Sequence, residues 1–237
     1  MISPTLANLY LHYVLDLWVE AWRKKVACGD VMIVRYADDA VLGFEHREEA
    51  ERFLEQVRER LRKFGLELHP EKTRLIEFGR YAAGRREKRG EGKPETFNFL
   101  GFTHICGRNH KTGNFTVQRK TIGKRMAAKL KDVKAKLRQR MHARVPGTVK
   151  WLQQVVRGYF QYHAIPGNWA RLEEFRGEVQ RIWFRTLRRR SQRRRMTWER
   201  FQTSLGSLLP PVQILQPYPD IRLDAKYPHI RGKNRVR

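Results

Sequence analysis

Asp38 and Asp39 stand side by side between two apolar runs, 31–36 (VMIVRY) and 40–44 (AVLGF). Adjacent carboxylates repel each other, and apolar surroundings penalise both charges. A bound divalent cation removes both penalties. Mg²⁺ takes one or two carboxylates and fills its octahedron with water and phosphate oxygens. On a regular strand neighbouring side chains point to opposite faces, but a tight turn between two strands lets both acids approach one site. Asp is also common in plain solvated turns, so the pair gains weight only from the rest of the chain.

The elements around the acids come from the hydrophobic pattern. The β-branched runs on either side predict an antiparallel hairpin over 31–44 with the acids at its turn. Ahead of it, Ser3 suits an N-cap and Pro4 a first helical position for a helix over 5–24. Apolar residues fall on most faces of that helix, which predicts burial. Behind it, Ala50, Phe53, Leu54, Val57, Leu61 and Phe64 recur at helical steps over 46–64, and Gly65 is a natural stop. Short strands are expected at 66–68 and 74–78. A Gly- and charge-rich loop is expected at 80–95, then strand character at 97–105 and 115–119. Helices follow at 121–143, 148–163 and 168–190, with a short one at 197–205.

Charge divides the chain. It has 237 residues, 50 Lys and Arg, 24 Asp and Glu, and a net charge of +26. Residues 1–79 hold 12 basic and 14 acidic side chains, whereas residues 80–237 hold 38 and 10. The second part repels itself unless an anion neutralises it, and a polynucleotide is the anion that fits such density. Lys124, Arg125, Lys129, Lys131, Lys134 and Lys136 form one cluster. Arg185, Arg188, Arg189, Arg190, Arg193, Arg194 and Arg195 form another. Trp151, Tyr159, Trp169, Trp183 and Trp198 interleave with these charges. They could stack on unpaired bases, although their helical spacing equally suits a packed core.

The apolar fraction of 41% argues against wholesale disorder. No apolar run is long enough for a membrane span, and the N-terminus lacks the pattern of a secretory signal. Cys28 and Cys106 are too isolated for a C-x-x-C metal or redox motif. A cytoplasmic setting and no membrane partner are the expectations.

Four ordered motifs carry a resemblance. Tyr36-Ala37-Asp38-Asp39 resembles the metal-binding hairpin of bacterial group II intron reverse transcriptases, which are also maturases. The segment from Ile2-Ser3-Pro4 to His12 resembles the second half of their template- and nucleotide-contacting motif. Gly65 to Thr73 resembles the next palm motif, and Phe97 to Phe102 the primer-grip hairpin. Trp151 to Tyr162 and Trp183 to Trp198 resemble the thumb, or maturase X region.

The resemblance implies an α+β fold: a partial palm, an antiparallel sheet with packed helices, over 1–118. A basic all-α thumb/maturase domain would follow over 119–205, and a basic Pro-containing tail over 206–237. It implies RNA-directed DNA synthesis by two-metal nucleotidyl transfer, with Mg²⁺ held by Asp38 as principal ligand and Asp39 as its neighbour. Tyr36, Ser3 and Pro4 would lie by the incoming nucleotide or primer end. Phe99, Leu100 and Gly101 would position the primer, while Phe97 and Phe102 read as core. Lys72 stands where the family has a lysine that assists the pyrophosphate; a plain surface lysine after a turn fits equally well. Implied partners are structured intron RNA, primer-template nucleic acid and dNTPs.

Family members carry a fingers region and an earlier palm strand ahead of these motifs, and that strand supplies an aspartate bridging both metals. This chain starts inside the motif that comes next. The expectation is therefore little or no polymerase activity alone. The chain would work with a separate N-terminal fragment, or as a non-catalytic RNA-binding maturase or chaperone module. An exposed sheet edge near 31–36 is expected on the same ground.

Overall fold

The computed structural model of the chain describes residues 3–109, 113–190 and 196–217. It divides into two units, Met1–Phe78 and Gly79–Arg237. The division falls where the charge balance changes. Among the described residues no helix is long and apolar enough to cross a membrane.

In the first unit, the Ser3 hydroxyl accepts from the Thr5 N–H at 3.3 Å and Pro4 opens α1 (Pro4–Leu11). The chain then widens into one π-helical turn, His12–Asp16, before α2 (Leu17–Lys25). β1 (Val31–Tyr36) pairs antiparallel with β2 (Asp39–Phe44), Val31 opposite Phe44 and Tyr36 opposite Asp39. Strand alternation sends Val31, Ile33, Leu42 and Phe44 into the core. Met32, Val34 and Tyr36 go to the other face and stay exposed. α3 (Arg47–Arg62) buries Ala50, Phe53, Val57 and Leu61, and Gly65 follows at φ +68°. Trp22 joins α2 to α3: its ring lies edge-on to Phe53 at 5.1 Å, and its Nε1 donates to Gln56 Oε1 at 2.6 Å.

Two expectations fail here. The helix over 5–24 is not well buried, because α1 buries no residue and leaves Leu6, Leu9 and Tyr10 exposed. Residues 66–68 and 74–78 form no strand. Leu66 and Leu68 do pack on the core, so the alternation read in the sequence reports burial. Among the described residues no strand pairs with them.

In the second unit, 80–95 is not loop throughout. Ala82–Lys88 forms a short helix, α4, anchored by the fully buried Ala82. Ala, Arg, Glu and Lys are good helix formers. β3 (Phe97–Phe99), β4 (Phe102–Arg108) and β5 (Phe115–Thr121) make an antiparallel sheet in the order β3-β4-β5. Among the described residues four α-helices follow: α5 (Gly123–Gln139), α6 (Val145–His163), α7 (Trp169–Arg190) and α8 (Trp198–Ser204). Pro146 sits inside the start of α6, where proline's missing N–H costs nothing.

Val133 and Leu137 of α5, Leu152 and Val156 of α6, Leu172, Phe175, Val179 and Trp183 of α7, and Phe201 of α8 share one core. Where strand meets helix, a buried polar knot ties the layers. Asn168 accepts from the Thr121 N–H at 3.0 Å and donates to Thr121 Oγ1 and His163 O, both at 2.8 Å. Thr121 Oγ1 lies 3.3 Å from His163 Nδ1. With Asn168 donating to that hydroxyl, a lone pair and its own proton both remain for Nδ1. Burial, with Arg125 nearby, pushes the His163 pKa down to about 4.

Candidate active site

Tyr36 pairs with Asp39, so Ala37 and Asp38 alone make the turn between β1 and β2. Ala37 adopts φ +54°. That backbone costs an L-residue about 1 kcal/mol or more and is found where a turn must hold a set shape. Asp38 and Asp39 are both exposed. Neither side chain makes a hydrogen bond or ion pair among the described residues. Directly opposed residues share a face, so Asp39 lies beside Tyr36, whose side of the sheet is open to solvent.

Arg35 fixes this tip. Its Nε and one terminal nitrogen donate to the two oxygens of Asp16, both at 2.7 Å. Its other terminal nitrogen donates to the Ala37 carbonyl at 2.7 Å and to Asn8 Oδ1 at 3.0 Å. One guanidinium thus ties the left-handed residue to two points of the N-terminal helical segment. The π-helical turn makes this possible. Eight residues of regular α-helix leave two side chains about 80° apart around the axis. A wider turn closes part of that gap, and Asn8 and Asp16 both reach Arg35. The Arg35 hydrogen bond holds the Asp16 carboxyl below the ordinary carboxylate range; burial opposes this, and His12 adds to it. Sequence reasoning passed over Asp16 as a mid-helix acid and Arg35 as a strand residue. Nothing in the sequence marks them as a pair, since 19 residues separate them.

The other residues expected near the acids lie as follows. Ser3 and Pro4 cap and open α1. Lys72 is exposed, in a turn closed by its N–H to the His69 carbonyl at 3.2 Å. Among the described residues no group of three or more His, Cys, Asp and Glu side chains is placed to hold a metal ion. Two free, adjacent carboxylates suit one hard divalent cation that keeps water and phosphate as its other ligands. They do not by themselves enclose two.

Phe99, Leu100 and Gly101 lie at the β3–β4 hairpin, where Phe99 pairs with Phe102. Leu100 at φ +47° and Gly101 at φ +81° form the two-residue turn. A turn with both central residues left-handed matches the twist of the flanking strands. Tyr162 of α6 donates its hydroxyl to the Leu100 carbonyl at 2.8 Å, and the Ile122 N–H donates to Gly101 O at 3.1 Å. A Cβ on Gly101 would come within 3.1 Å of the Arg125 guanidinium. The close approach this glycine allows is therefore to the chain's own Arg125.

All six basic residues expected on α5, from Lys124 to Lys136, are exposed. Lys129 and Lys136 flank Asp132 at 3.7 and 3.2 Å. On α7, Arg185, Arg188 and Arg189 are exposed and Arg190 is half-buried. Arg193, Arg194 and Arg195 lie outside the described residues, as do residues 218–237 of the tail. The aromatics divide. Trp183 and Tyr159 are core, Trp151 packs under Arg140, and Trp198 stacks on Phe201. Trp169 stays exposed. The sequence reading gave no role to Tyr162 or Gly158, which line a groove between α5 and α6.

Residues 1–104 match the family of reverse transcriptases, the RNA-dependent DNA polymerases. The match runs from α1 through the Asp38–Asp39 tip and the Leu100–Gly101 turn into β4. A search of curated proteins gives no match.

Proposed function

We propose that the chain is the palm and thumb portion of a group II intron reverse transcriptase that also acts as a maturase. The observation that carries this reading is the pair of unpartnered acids on a strained turn clamped by Arg35, inside the segment that matches the reverse transcriptase family. Mg²⁺, when bound, would supply Lewis-acid stabilisation of the charge that develops on phosphate oxygens during nucleotidyl transfer. Asp38 and Asp39 would hold it. Tyr36 would bear on the incoming nucleotide, Lys72 would offer a point charge to the pyrophosphate, and Arg35 would keep the turn from relaxing. The exposed lysines and arginines of α5 and α7 would grip structured intron RNA through its phosphates.

The two acids are an incomplete set for two metal ions. Given a primed template, dNTPs and Mg²⁺, the chain alone is expected to show no primer extension. Extension should appear once a reverse transcriptase N-terminal fragment is added, and Asp38→Ala should abolish it. Robust synthesis by the chain alone, or an indifferent Asp38→Ala, would overturn the assignment.

A second reading is a non-catalytic RNA chaperone that aids intron splicing. It is favoured by the absence, among the described residues, of a third acid beside Asp38 and Asp39. RNA binding that survives Asp38→Ala, with no synthesis under any completion, would select it. Under both readings the affinity for RNA falls with salt, with a log–log slope of about −0.7 to −0.9 per phosphate neutralised.

A further inference from the structure

The groove between α5 and α6 has a volume of about 400 Å³, a size that suits a small ligand. None of the residues that line it is acidic. Arg125 and Lys129 come from α5, and Gln154, Gly158, Tyr162 and His163 from α6. Arg125 has no acidic partner among the described residues, and Lys129 has only the distant Asp132 at 3.7 Å. His163 is neutral, so the charge of the groove is that of the two cations.

Tyr162 forms a fixed aromatic wall. Its hydroxyl is tied to the Leu100 carbonyl, and its ring stacks on Phe102 at 5.8 Å and 15°. It is nevertheless 53% exposed. Gly158 lies in the middle of α6, where glycine weakens a helix. Neither a positive φ nor packing requires it, because an added Cβ would meet nothing within 4 Å. Glycine at such a place leaves room for something to approach the backbone closely.

We propose that this groove holds one unpaired nucleotide of a bound strand, its phosphate on Arg125 and Lys129 and its base flat against Tyr162, with Gly158 giving the room. The inference rests on the reading of the second unit as a polynucleotide binder and adds that it selects unpaired over duplex strands at this place.

Fluorescence anisotropy at low salt tests it, using the full chain, a single-stranded RNA of about 12 nucleotides and a blunt RNA duplex of the same length. Gly158→Leu fills the groove and raises helix propensity, so folding should survive. It is expected to weaken single-strand binding about tenfold, the scale of one lost base stack, with duplex binding unchanged. Gly177→Leu, at a helical glycine of α7 with equal free space but outside the groove, should change neither. Tyr162→Phe should keep single-strand affinity and Tyr162→Leu should lose it, which separates the ring's role from the hydroxyl's anchoring of the hairpin. Unchanged single-strand binding by Gly158→Leu, or equal losses for strand and duplex, would overturn the proposal. Failure of the unaltered protein to bind either RNA would overturn the underlying polynucleotide reading as well.

Discussion

The two units distribute stability and chemistry in opposite ways. The first carries the acid pair on a two-stranded sheet, an assembly with little stability of its own in water. One face of that sheet and much of α1 remain apolar and exposed: Leu6, Leu9, Tyr10, Met32, Val34 and Tyr36. The second unit surrounds Trp183, Phe175 and Phe201 completely with α5, α6, α7 and the segment after α8. It presents charge outward. The acid tip of the first unit is thus fixed by polar clamps above a small core around Trp22 and Phe53, and the second unit rests on a larger filled core. Clamps position a few atoms accurately and fail at single points. A filled core tolerates surface change and responds to lost volume.

Several substitutions can break or sharpen this contrast. Phe175→Ala removes a ring stacked on Tyr159 at 3.6 Å and should cost about 3–5 kcal/mol, read by urea unfolding. A cost below about 1 kcal/mol would mean that volume does not hold the second unit. Asp16→Asn takes away the bidentate partner of Arg35 and should cost about 1–3 kcal/mol. In hydrogen exchange it should release the amides of β1 and β2 and leave α6 and α7 protected. Uniform loosening of both units would blur the distinction.

Acid separates the units by a smaller effect. The Asp16 carboxyl is held below its ordinary range, so its contribution is present above the unfolded carboxylate pKa of about 3.9 and is lost as pH falls through the lower folded value. His163 behaves differently. The unfolded chain takes up its proton near pH 6.5 and the folded one only at about 4, so the second unit weakens as pH falls between those values. Calorimetry of His163→Gln should show a flatter Tm profile across that window, and Asp16→Asn a flatter one only below it. Smallest of all, Val34→Lys on the open face of β1 should change stability by less than about 0.5 kcal/mol while raising solubility. A large loss would show that this face is covered.

The long helices α3, α5, α6 and α7 and the β1–β2 hairpin were legible in the sequence, because each rests on local periodicity, whereas 97–105 read as one strand and is split by the turn at Leu100 and Gly101. Leu66 and Leu68 misled: alternation told where their side chains go, but a strand needs a partner that no local pattern reveals. α4 was hidden by Gly84 and its charges, although Ala82 anchors it. The acid pair was legible as chemistry. Its support was not, since Arg35, Asp16 and Asn8 meet through a π-helical turn that no residue type announces. Gly158 was unreadable for a related reason, because a helical glycine acquires meaning only from the space beside it.

The π-helical turn also bears on how the chain tolerates changes in length. Deleting Tyr13, the exposed residue between His12 and Asp16, would let the N-terminal helix run on regularly with helix content preserved. Asn8 and Asp16 would then stand seven residues apart, about 20° around a regular helix, so both anchors of the guanidinium would stay on one face. An insertion there is the damaging edit, because nine residues set the two anchors about 180° apart around a regular helix.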